Sequence, residues 1–196
     1  MTEQPEGRKV RTLDARSLRG IAHPLRMRLL GSLRIDGPAT ASQLAARFGE
    51  SSGATSYHLR QLAAHGFVED APEHGKGRER WWRAAHETTV FNDRLARDAD
   101  PVVRGAAALY MQHVAAFHAE GLSTWVGTSH EWSEEWQSSA DISDHTLRLT
   151  PALASELDAK VHQLIESYRE SAPADDDPKA ELVRIHTHVF PTRRPD

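Results

Sequence analysis

The chain has 196 residues, of which 39% are hydrophobic and 27% are charged, and it contains no cysteine. This composition is typical of a globular protein of one or two domains, and the lack of cysteine excludes disulfides, thiolate metal sites and thiol redox sensing. No run of 18 apolar residues is present and the first residues do not resemble a secretion signal, so we expect no membrane segment and a cytoplasmic location.

The net charge of −4 is divided unevenly along the chain. Residues 1–86 hold 14 Lys and Arg against 9 Asp and Glu, a net charge of +5. Residues 87–196 hold 10 against 19, a net charge of −9. Because clustered cations attract phosphates, the first part suits a nucleic acid, whereas the acidic part is expected to face solvent, a partner subunit or a small ligand.

Two helices are predicted in the first part of the chain. Asp14 is a good N-cap for the first helix, which ends at His23 because Pro24 disfavours helical geometry in the residue before it. The second helix follows with apolar residues at helical spacing, and the sequence Asp36-Gly-Pro38 ends it.

Two more helices are predicted after residue 38. Thr40 or Ser42 opens the third helix, and Gly49 makes a tight turn after it. Ser51 or Ser52 caps the fourth helix, which ends before Gly66. The core-facing positions of the fourth helix, spaced at i, i+4 and i+7, are Thr55, Leu59 and Leu62.

A basic hairpin follows the fourth helix. Residues 67–70 and 80–83 are typical of two paired strands, and residues 74–78 form the turn between them. Two short helices joined by a glycine turn and followed by a basic hairpin are the pattern of a winged helix-turn-helix, which places its second helix in the major groove of DNA.

The outward face of the fourth helix is the predicted reading surface. Small residues at its start allow close approach to the groove, and Ser56, Tyr57 and Arg60 are the expected contacts to bases or phosphates. His58 is expected to lie between the core and the DNA backbone. Including the wing and the start of the third helix, the predicted DNA-contacting residues are Gln43, Ser52, Ser56, Tyr57, His58, Arg60, Lys76, Arg78 and Arg80.

Three stretches of this region carry a family resemblance. His23-Pro-Leu-Arg-Met-Arg-Leu-Leu30, Ala41-Ser-Gln-Leu-Ala45 and the run from Ser56-Tyr-His-Leu59 to Val68 resemble ArsR-type winged helix-turn-helix regulators, in the branch with an extended C-terminal half. The resemblance covers residues 13–86. It implies a homodimeric transcription regulator, usually a repressor that an effector releases from its operator. The cysteines of the family's thiolate sensors are missing here, which excludes arsenic-type sensing.

The remainder of the chain predicts a long helix and a strand–helix–strand segment. A helix of about five turns starts at Pro101, and the resemblance makes it the dimerisation element. Its apolar stripe is Val102, Ala106, Leu109, Tyr110, His113 and Phe117. Residues 144–150, 151–170 and 182–190 are typical of a strand, a helix and a second strand.

We therefore predict a mainly α fold with small β elements (α+β). Residues 1–12 are expected to be a flexible N-terminus, residues 13–86 a winged helix-turn-helix DNA-binding domain, residues 87–139 a helical connector and dimerisation region, and residues 140–196 a C-terminal α+β segment that senses an effector or only stabilises the dimer. The aromatic residues Trp125, Trp132 and Trp136, together with Tyr110 and Phe117, either line a small-molecule pocket or form ordinary core and interface, and the second interpretation is favoured.

Twelve histidines raise the question of a metal site. His113 and His118 are five residues apart, which does not suit a pair of helical ligands. His186 and His188 share one face of a predicted strand, but polar residues belong on that face in any case. Only one imidazole, His130, accompanies the carboxylates at residues 131–135. We therefore predict no metal ion and no other cofactor.

The function favoured by these patterns is a sequence-specific DNA-binding transcription regulator that acts as a homodimer on an inverted repeat. Two alternatives stay open: a winged-helix module for protein interaction and assembly, and a regulator that responds to a metal through histidine and carboxylate ligands. An enzyme is not expected, since no glycine-rich cofactor loop, nucleophile elbow or paired-carboxylate motif occurs.

Overall fold

The computed structural model describes residues 9–75, 79–174 and 177–193. The chain divides into two units, of which the first ends at Ser123 and the second begins at Thr124. None of the helices in the described part of the chain has both the length and the apolar character needed to cross a bilayer.

The first unit contains helices and short strands in alternation. Its helices are α1 (Ala15–Ile21), α2 (Pro24–Ile35), α3 (Ala41–Phe48), α4 (Ser52–Ala64) and most of α5 (Pro101–Thr128). Its strands are β1 (Val10–Thr12), β2 (Ala39–Thr40), β3 (Val68–Asp70), β4 (Trp81–Ala84) and β5 (Thr88–Val90). Single 3₁₀ turns cover Pro72–His74 and Asp93–Arg97.

Two small sheets hold the strands. In the first sheet β4 lies between β2 and β3 and pairs with both in antiparallel fashion, so that Val68 faces Ala84 and Ala39 faces Trp82. In the second sheet β1 pairs with β5 in parallel. The hairpin of β3 and β4 confirms the predicted wing. The sequence did not indicate β1, β2 or β5, because runs of two or three residues carry no readable alternation.

Side-chain caps begin the helices where the sequence placed them. The carboxylate of Asp14 accepts the backbone N–H of Ser17 at 2.6 Å, and the hydroxyl of Ser17 lies 2.9 Å from the backbone nitrogen of Asp14, which together form a capping box. Thr40 forms the same arrangement with Gln43 at the start of α3. These reciprocal bonds satisfy N–H groups that the first turn of a helix leaves without partners.

The core of the first unit is formed by one side of each helix and by the wing. Phe67, Leu59 and Leu62 have no exposed surface, and they belong to a continuous cluster with residues of α1, α2, α3 and the start of α5. Burial of each large aliphatic or aromatic side chain contributes about 1.5–3 kcal/mol, so this cluster is the main source of the unit's stability.

The second unit contains the end of α5, a 3₁₀ turn at Ser129–Glu131, α6 (Glu134–Ser139) and α7 (Pro151–Glu170). The predicted helix at 151–170 is confirmed. The two predicted strands are wrong as structural elements, because neither 144–150 nor 182–190 forms a strand. Alternating apolar residues make a segment competent to pair, but a strand exists only when a second strand supplies the hydrogen bonds.

The predicted fold class is confirmed, since the described residues are mainly helical with small β elements. The long helix is longer than predicted, because α5 continues to Thr128. The domain boundaries placed at residues 12, 86 and 139 stay predictions.

Candidate nucleic-acid interface

The turn between α3 and α4 is built by one glycine and one serine. Gly49 adopts φ 67°, a left-handed conformation that closes the C-terminus of α3 and that residues with a Cβ rarely adopt. Two residues later Ser51 caps α4, and its hydroxyl accepts the backbone N–H of Ala54 at 3.2 Å. The connection between α3 and α4 is therefore only a few residues long, as the turn of a helix-turn-helix requires.

The helix α4 has one face in the core and one face in solvent. Thr55, Leu59 and Leu62 are buried, as the helical spacing predicted. On the opposite side Ser52, Gly53, Tyr57 and Arg60 are exposed, and Ser56 and His58 are half-buried. The exposed residues form a contiguous surface, because positions three and four apart on a helix are neighbours. In the described part of the chain, Arg60 forms no hydrogen bond or ion pair.

A histidine pair lies beneath the exposed face of α4. The ring of His58 is 4.4 Å from the ring of His23, at the start of α2, and 5.2 Å from the ring of Tyr57. Burial lowers the pKa of His23, and the neighbouring His58, Arg26 and His113 lower it further. Burial followed by Arg26 also lowers the pKa of His58. Both shifts favour the neutral imidazoles, and the ring contact of His58 with His23 connects the reading helix to α2.

Arg26 and Arg28 on α2 were not recognised from the sequence. The Nε atom of Arg26 is buried and has no hydrogen-bond partner within the described ranges, and burial lowers the pKa of this guanidinium. Arg28 is exposed and lies over the ring of Phe48 in α3, with its Cζ 4.6 Å from the ring centroid. A helical pattern alone does not identify either cation, since arginine is common on any solvated helix face. Both are candidates for holding a phosphate beside α3 and α4.

The wing carries paired rather than free cations where the structure describes it. Arg80 forms a bidentate ion pair with Asp70, with one nitrogen–oxygen distance of 2.8 Å, and its guanidinium lies 4.0 Å from the centroid of Trp82. The same ion pair raises the pKa of Arg80 and lowers that of Asp70. A phosphate would have to compete with Asp70 for this guanidinium. Lys76 and Arg78, the other wing residues of the prediction, lie outside the described residues.

Gln43 has a structural role that competes with the role predicted for it. Its side-chain oxygen accepts the backbone N–H of Thr40 at 2.9 Å, as part of the capping box of α3. The amide NH₂ group is the part of the side chain with which Gln43 could donate to DNA. Next to it, the hydroxyl of Ser42 donates to Glu79 in the wing at 3.0 Å, which ties the wing to the start of α3.

The predicted dimerisation stripe on α5 is divided between core and surface. Tyr110 is buried and stacks on Phe91 with a centroid distance of 5.7 Å, and Ala106 packs against the core. The face of α5 that packs on its own unit is offset by one residue from the predicted stripe and consists of Val103, Ala107, Tyr110 and Val114. Tyr110 is therefore not a surface residue. The exposed members of the predicted stripe are Val102, Leu109 and Phe117, with His113 half-buried.

The residues of the suggested aromatic pocket lie in different surroundings. Trp132 is 6.3 Å from Trp125 and 6.5 Å from Trp136, measured between ring centroids, so the three tryptophans form a cluster in the second unit. Tyr110 belongs to the core of the first unit, and Phe117 is exposed. The tryptophans thus lie together, whereas Tyr110 already has a packing role of its own.

Metal ligands are not grouped where the structure describes the chain. No set of three His, Asp or Glu side chains within those ranges is placed to hold an ion. The rings of His186 and His188 lie 6.4 Å apart, centroid to centroid. The Nδ1 atom of His113 lies 2.7 Å from the carbonyl oxygen of Leu109 on the same helix.

The order of α2, α3 and α4, followed by the hairpin of β3 and β4, is that of a winged helix-turn-helix protein. Residues 21–71 match the family model of a helix-turn-helix domain, so this part of the chain is a helix-turn-helix domain. The resemblance found in the sequence is thereby confirmed for the residues that form the turn and the reading helix.

Two solved structures are similar to the chain. A protein described as a possible transcriptional regulator for arsenical resistance shares 28% sequence identity, with 60% of this chain and 97% of that one covered and a TM-score of 0.31. An apo mutant of ZitR from Lactococcus lactis shares 13%, with coverage of 76% and 83% and a TM-score of 0.33. Both TM-scores are low, so the assignment depends on the domain match and on the geometry described above. No curated protein shows significant similarity to the chain.

Proposed function

We propose that the protein is a DNA-binding transcription regulator that reads bases in the major groove with the exposed face of α4. The observation that carries this proposal is the two-sided burial of α4 within a helix-turn-helix domain. Thr55, Leu59 and Leu62 hold the helix in the core, while Tyr57 and Arg60 stand in solvent. A helix that is anchored on one side and polar on the other can enter a groove without unfolding.

The charge of the first part of the chain supports a nucleic acid as the partner. Residues 1–86 carry a net charge of +5 although the whole chain carries −4. Arg60 is exposed on α4 and Arg28 is exposed on α2, and Lys76 and Arg78 are proposed as phosphate contacts from the wing. Gln43, Ser52, Ser56, His58 and Arg80 complete the proposed contact surface.

We further propose that the regulator acts as a homodimer on an inverted-repeat operator and represses transcription until a small molecule releases it. The exposed stripe of α5, around Val102, Leu109 and Phe117, supports the dimer because solvent-exposed apolar rows on a long helix favour a second copy. Two half-sites would then be spaced by about one turn of DNA, roughly 34–36 Å. The repressor role and the effector rest on the resemblance of residues 13–86 to ArsR-type regulators.

The experiment begins with selection of bound fragments from a random pool of double-stranded DNA. Gel-shift affinities for the selected sequence are then measured with Arg60→Ala, which we expect to lose about 1–3 kcal/mol if Arg60 makes a bidentate base contact. Arg97→Ala removes the same charge from an exposed site outside α4 and the wing and serves as the control. Selection of no sequence at all, or full affinity of the Arg60 variant, would contradict the proposed reading surface.

The dimer is tested separately by light scattering. Leu109→Glu places a carboxylate within the exposed stripe of α5, and we expect it to weaken association through that helix. Ala108→Glu adds the same charge at the neighbouring exposed position outside the stripe and should leave the association unchanged. Equal masses for the two variants at every concentration would place the interface elsewhere.

A further inference from the structure

Arg26 on α2 is a half-buried cation that the chain leaves without an acceptor. Its Nε atom is buried, and in the described part of the chain it has no hydrogen-bond partner. Other arginines of the first unit have partners. Arg11 donates to the carbonyl oxygen of Gly66 at 2.9 Å, and Arg80 forms its ion pair with Asp70. Because a buried donor that stays unused costs free energy, Arg26 favours an acceptor from outside the chain.

Three aromatic side chains lie close to Arg26 at the contact of α2 with α4. The rings of His23 and His58 are 4.4 Å apart, and the ring of Tyr57 is 5.2 Å from that of His58. Burial lowers the pKa of Arg26, and the neighbouring Tyr57 partly opposes that shift. The Nδ1 atoms of His23 and His58 are buried and also have no hydrogen-bond partner within the described ranges. One guanidinium and two imidazoles with unused nitrogen atoms therefore form a cluster.

The electrostatic surroundings of this cluster favour an anion. His23 is the N-cap of α2 but forms no side-chain cap hydrogen bond, and the first turn contains no acidic residue. The N-terminus of a helix carries a partial positive charge, which adds to that of Arg26. Among the described groups that shift the pKa values of Arg26, His23 and His58, Glu50 is the single carboxylate, and its side chain is exposed. An anionic ligand would thus meet little repulsion here.

The position of the cluster on α4 indicates which anion it meets. Tyr57 belongs to the face of α4 that is proposed to read DNA and is 53% exposed, and His58 follows it in the chain and is half-buried. When a helix lies in the major groove, residues beside its reading face meet the sugar–phosphate backbone. Arginine suits a phosphate because its planar guanidinium can donate two parallel hydrogen bonds to it.

We propose that Arg26 binds a backbone phosphate of DNA, together with His58 and the start of α2, and thereby fixes the position of α4 in the groove. This inference rests on the proposed DNA-binding function and adds a residue of α2 to the contacts of α4 and the wing. Phosphate contacts set the register of a protein on the duplex but carry no base information. Loss of Arg26 should therefore weaken binding to all sequences, whereas loss of Arg60 should change base preference.

Neutral methylphosphonate groups, placed one at a time along the selected DNA sequence, test the contact. The wild-type chain should lose affinity several-fold at the phosphate that Arg26 binds, and Arg26→Gln should show no further loss at that position. Arg97→Gln removes an exposed cation outside α2, α4 and the wing and should retain the wild-type profile. If Arg26→Gln and the wild-type chain respond alike at every phosphate, the contact is absent and the proposal is overturned.

The salt dependence of binding gives a second readout that a purely structural role would not change. One lost phosphate contact lowers the slope of log K against log salt concentration by about 0.9. Arg26→Gln should show this decrease, and Arg26→Lys, which keeps the charge, should retain most of the slope. An unchanged slope in Arg26→Gln would contradict the contact.

Two further outcomes separate this inference from its alternatives. If the wild-type chain selects no DNA sequence, the proposed function itself fails, whereas normal DNA binding without a phosphate that couples to Arg26 overturns the Arg26 contact alone. Thermal unfolding without DNA is measured with and without inorganic phosphate. Stabilisation of the wild-type chain but not of Arg26→Gln, with no coupled backbone position, would assign the cluster to a free oxyanion and overturn the DNA contact.

Discussion

The two units of this protein have similar sequence patterns and opposite outcomes. In the first unit, α4 turns its apolar side inward, and Leu59 has no exposed surface. In the second unit, α7 has an equally regular apolar stripe, yet Leu164 and Tyr168 stand mostly in solvent. The difference shows that amphipathic spacing indicates which face of a helix is apolar but not which surface covers it.

The largest expected effect compares a core leucine of the first unit with an exposed leucine of the second. Leu59→Ala should lower the free energy of unfolding by about 2–5 kcal/mol, because it leaves a cavity in a filled core. Leu164→Ala should cost far less, because that side chain is already 61% exposed. Urea denaturation of the two variants checks both statements. An equal loss at the two positions would contradict the contrast between the buried and the exposed leucine.

A smaller effect is expected from the helix caps that order the reading helices. Thr40→Ala removes the hydroxyl that accepts the backbone N–H of Gln43, and substitution of a capping residue costs about 0.5–2 kcal/mol. Thr150 caps α7 in the same way, with its hydroxyl 3.3 Å from the backbone nitrogen of Leu153. The loss from Thr40→Ala should appear in the unfolding of the first unit, and that from Thr150→Ala in the helical signal of the second. If both variants change the same transition equally, the two units unfold as one.

The smallest expected effect is a pH dependence that belongs to the first unit. The pKa values of His23 and His58 are lowered in the folded state, mainly by burial, with Arg26 adding repulsion against their protonation and Glu50 partly opposing it at His58. Their neutral forms therefore stabilise the fold fully above the ordinary histidine pKa, about 6.5, and this contribution is lost as the pH falls through the lowered values. We expect a lower free energy of unfolding at about pH 5 than at about pH 7.5.

Histidine variants test the origin of that pH dependence. His65 and His86 have pKa values lowered mainly by burial as well, so His23→Gln should flatten the pH profile only in part. His130→Gln changes an exposed histidine of the second unit and serves as the control. A steeper profile for the His23 variant, or the same flattening for the control, would contradict this origin.

Much of the reading surface could be predicted because it depends on local rules. The spacing of Thr55, Leu59 and Leu62 defines the buried side of α4, and the opposite side follows from helix geometry. Gly49 and Ser51 specify the turn, since one supplies a left-handed conformation and the other a side-chain cap. Such features involve residues that are close in sequence.

Other features of the site depend on residues that are distant in sequence. The contact of His58 with His23, 35 positions earlier, and the ion pair of Arg80 with Asp70 have no signature in local spacing. On α5 two apolar stripes lie side by side, and their composition does not show which one faces the core. The stripe that contains Tyr110 packs inside, against Phe91. Tyr110 is therefore a core residue and not the surface residue that was predicted.

The sequence by itself determined the helix-turn-helix, the face of α4 that enters the core and the position of α7, because spacing, caps and turn residues act within a few positions of one another. Only the tertiary structure decided which stripe of α5 packs inside, which cations of the wing are paired, and that residues 144–150 and 182–190 do not form strands. The physical reason is that burial and strand pairing need a second surface, and a pattern along one chain does not say where that surface is.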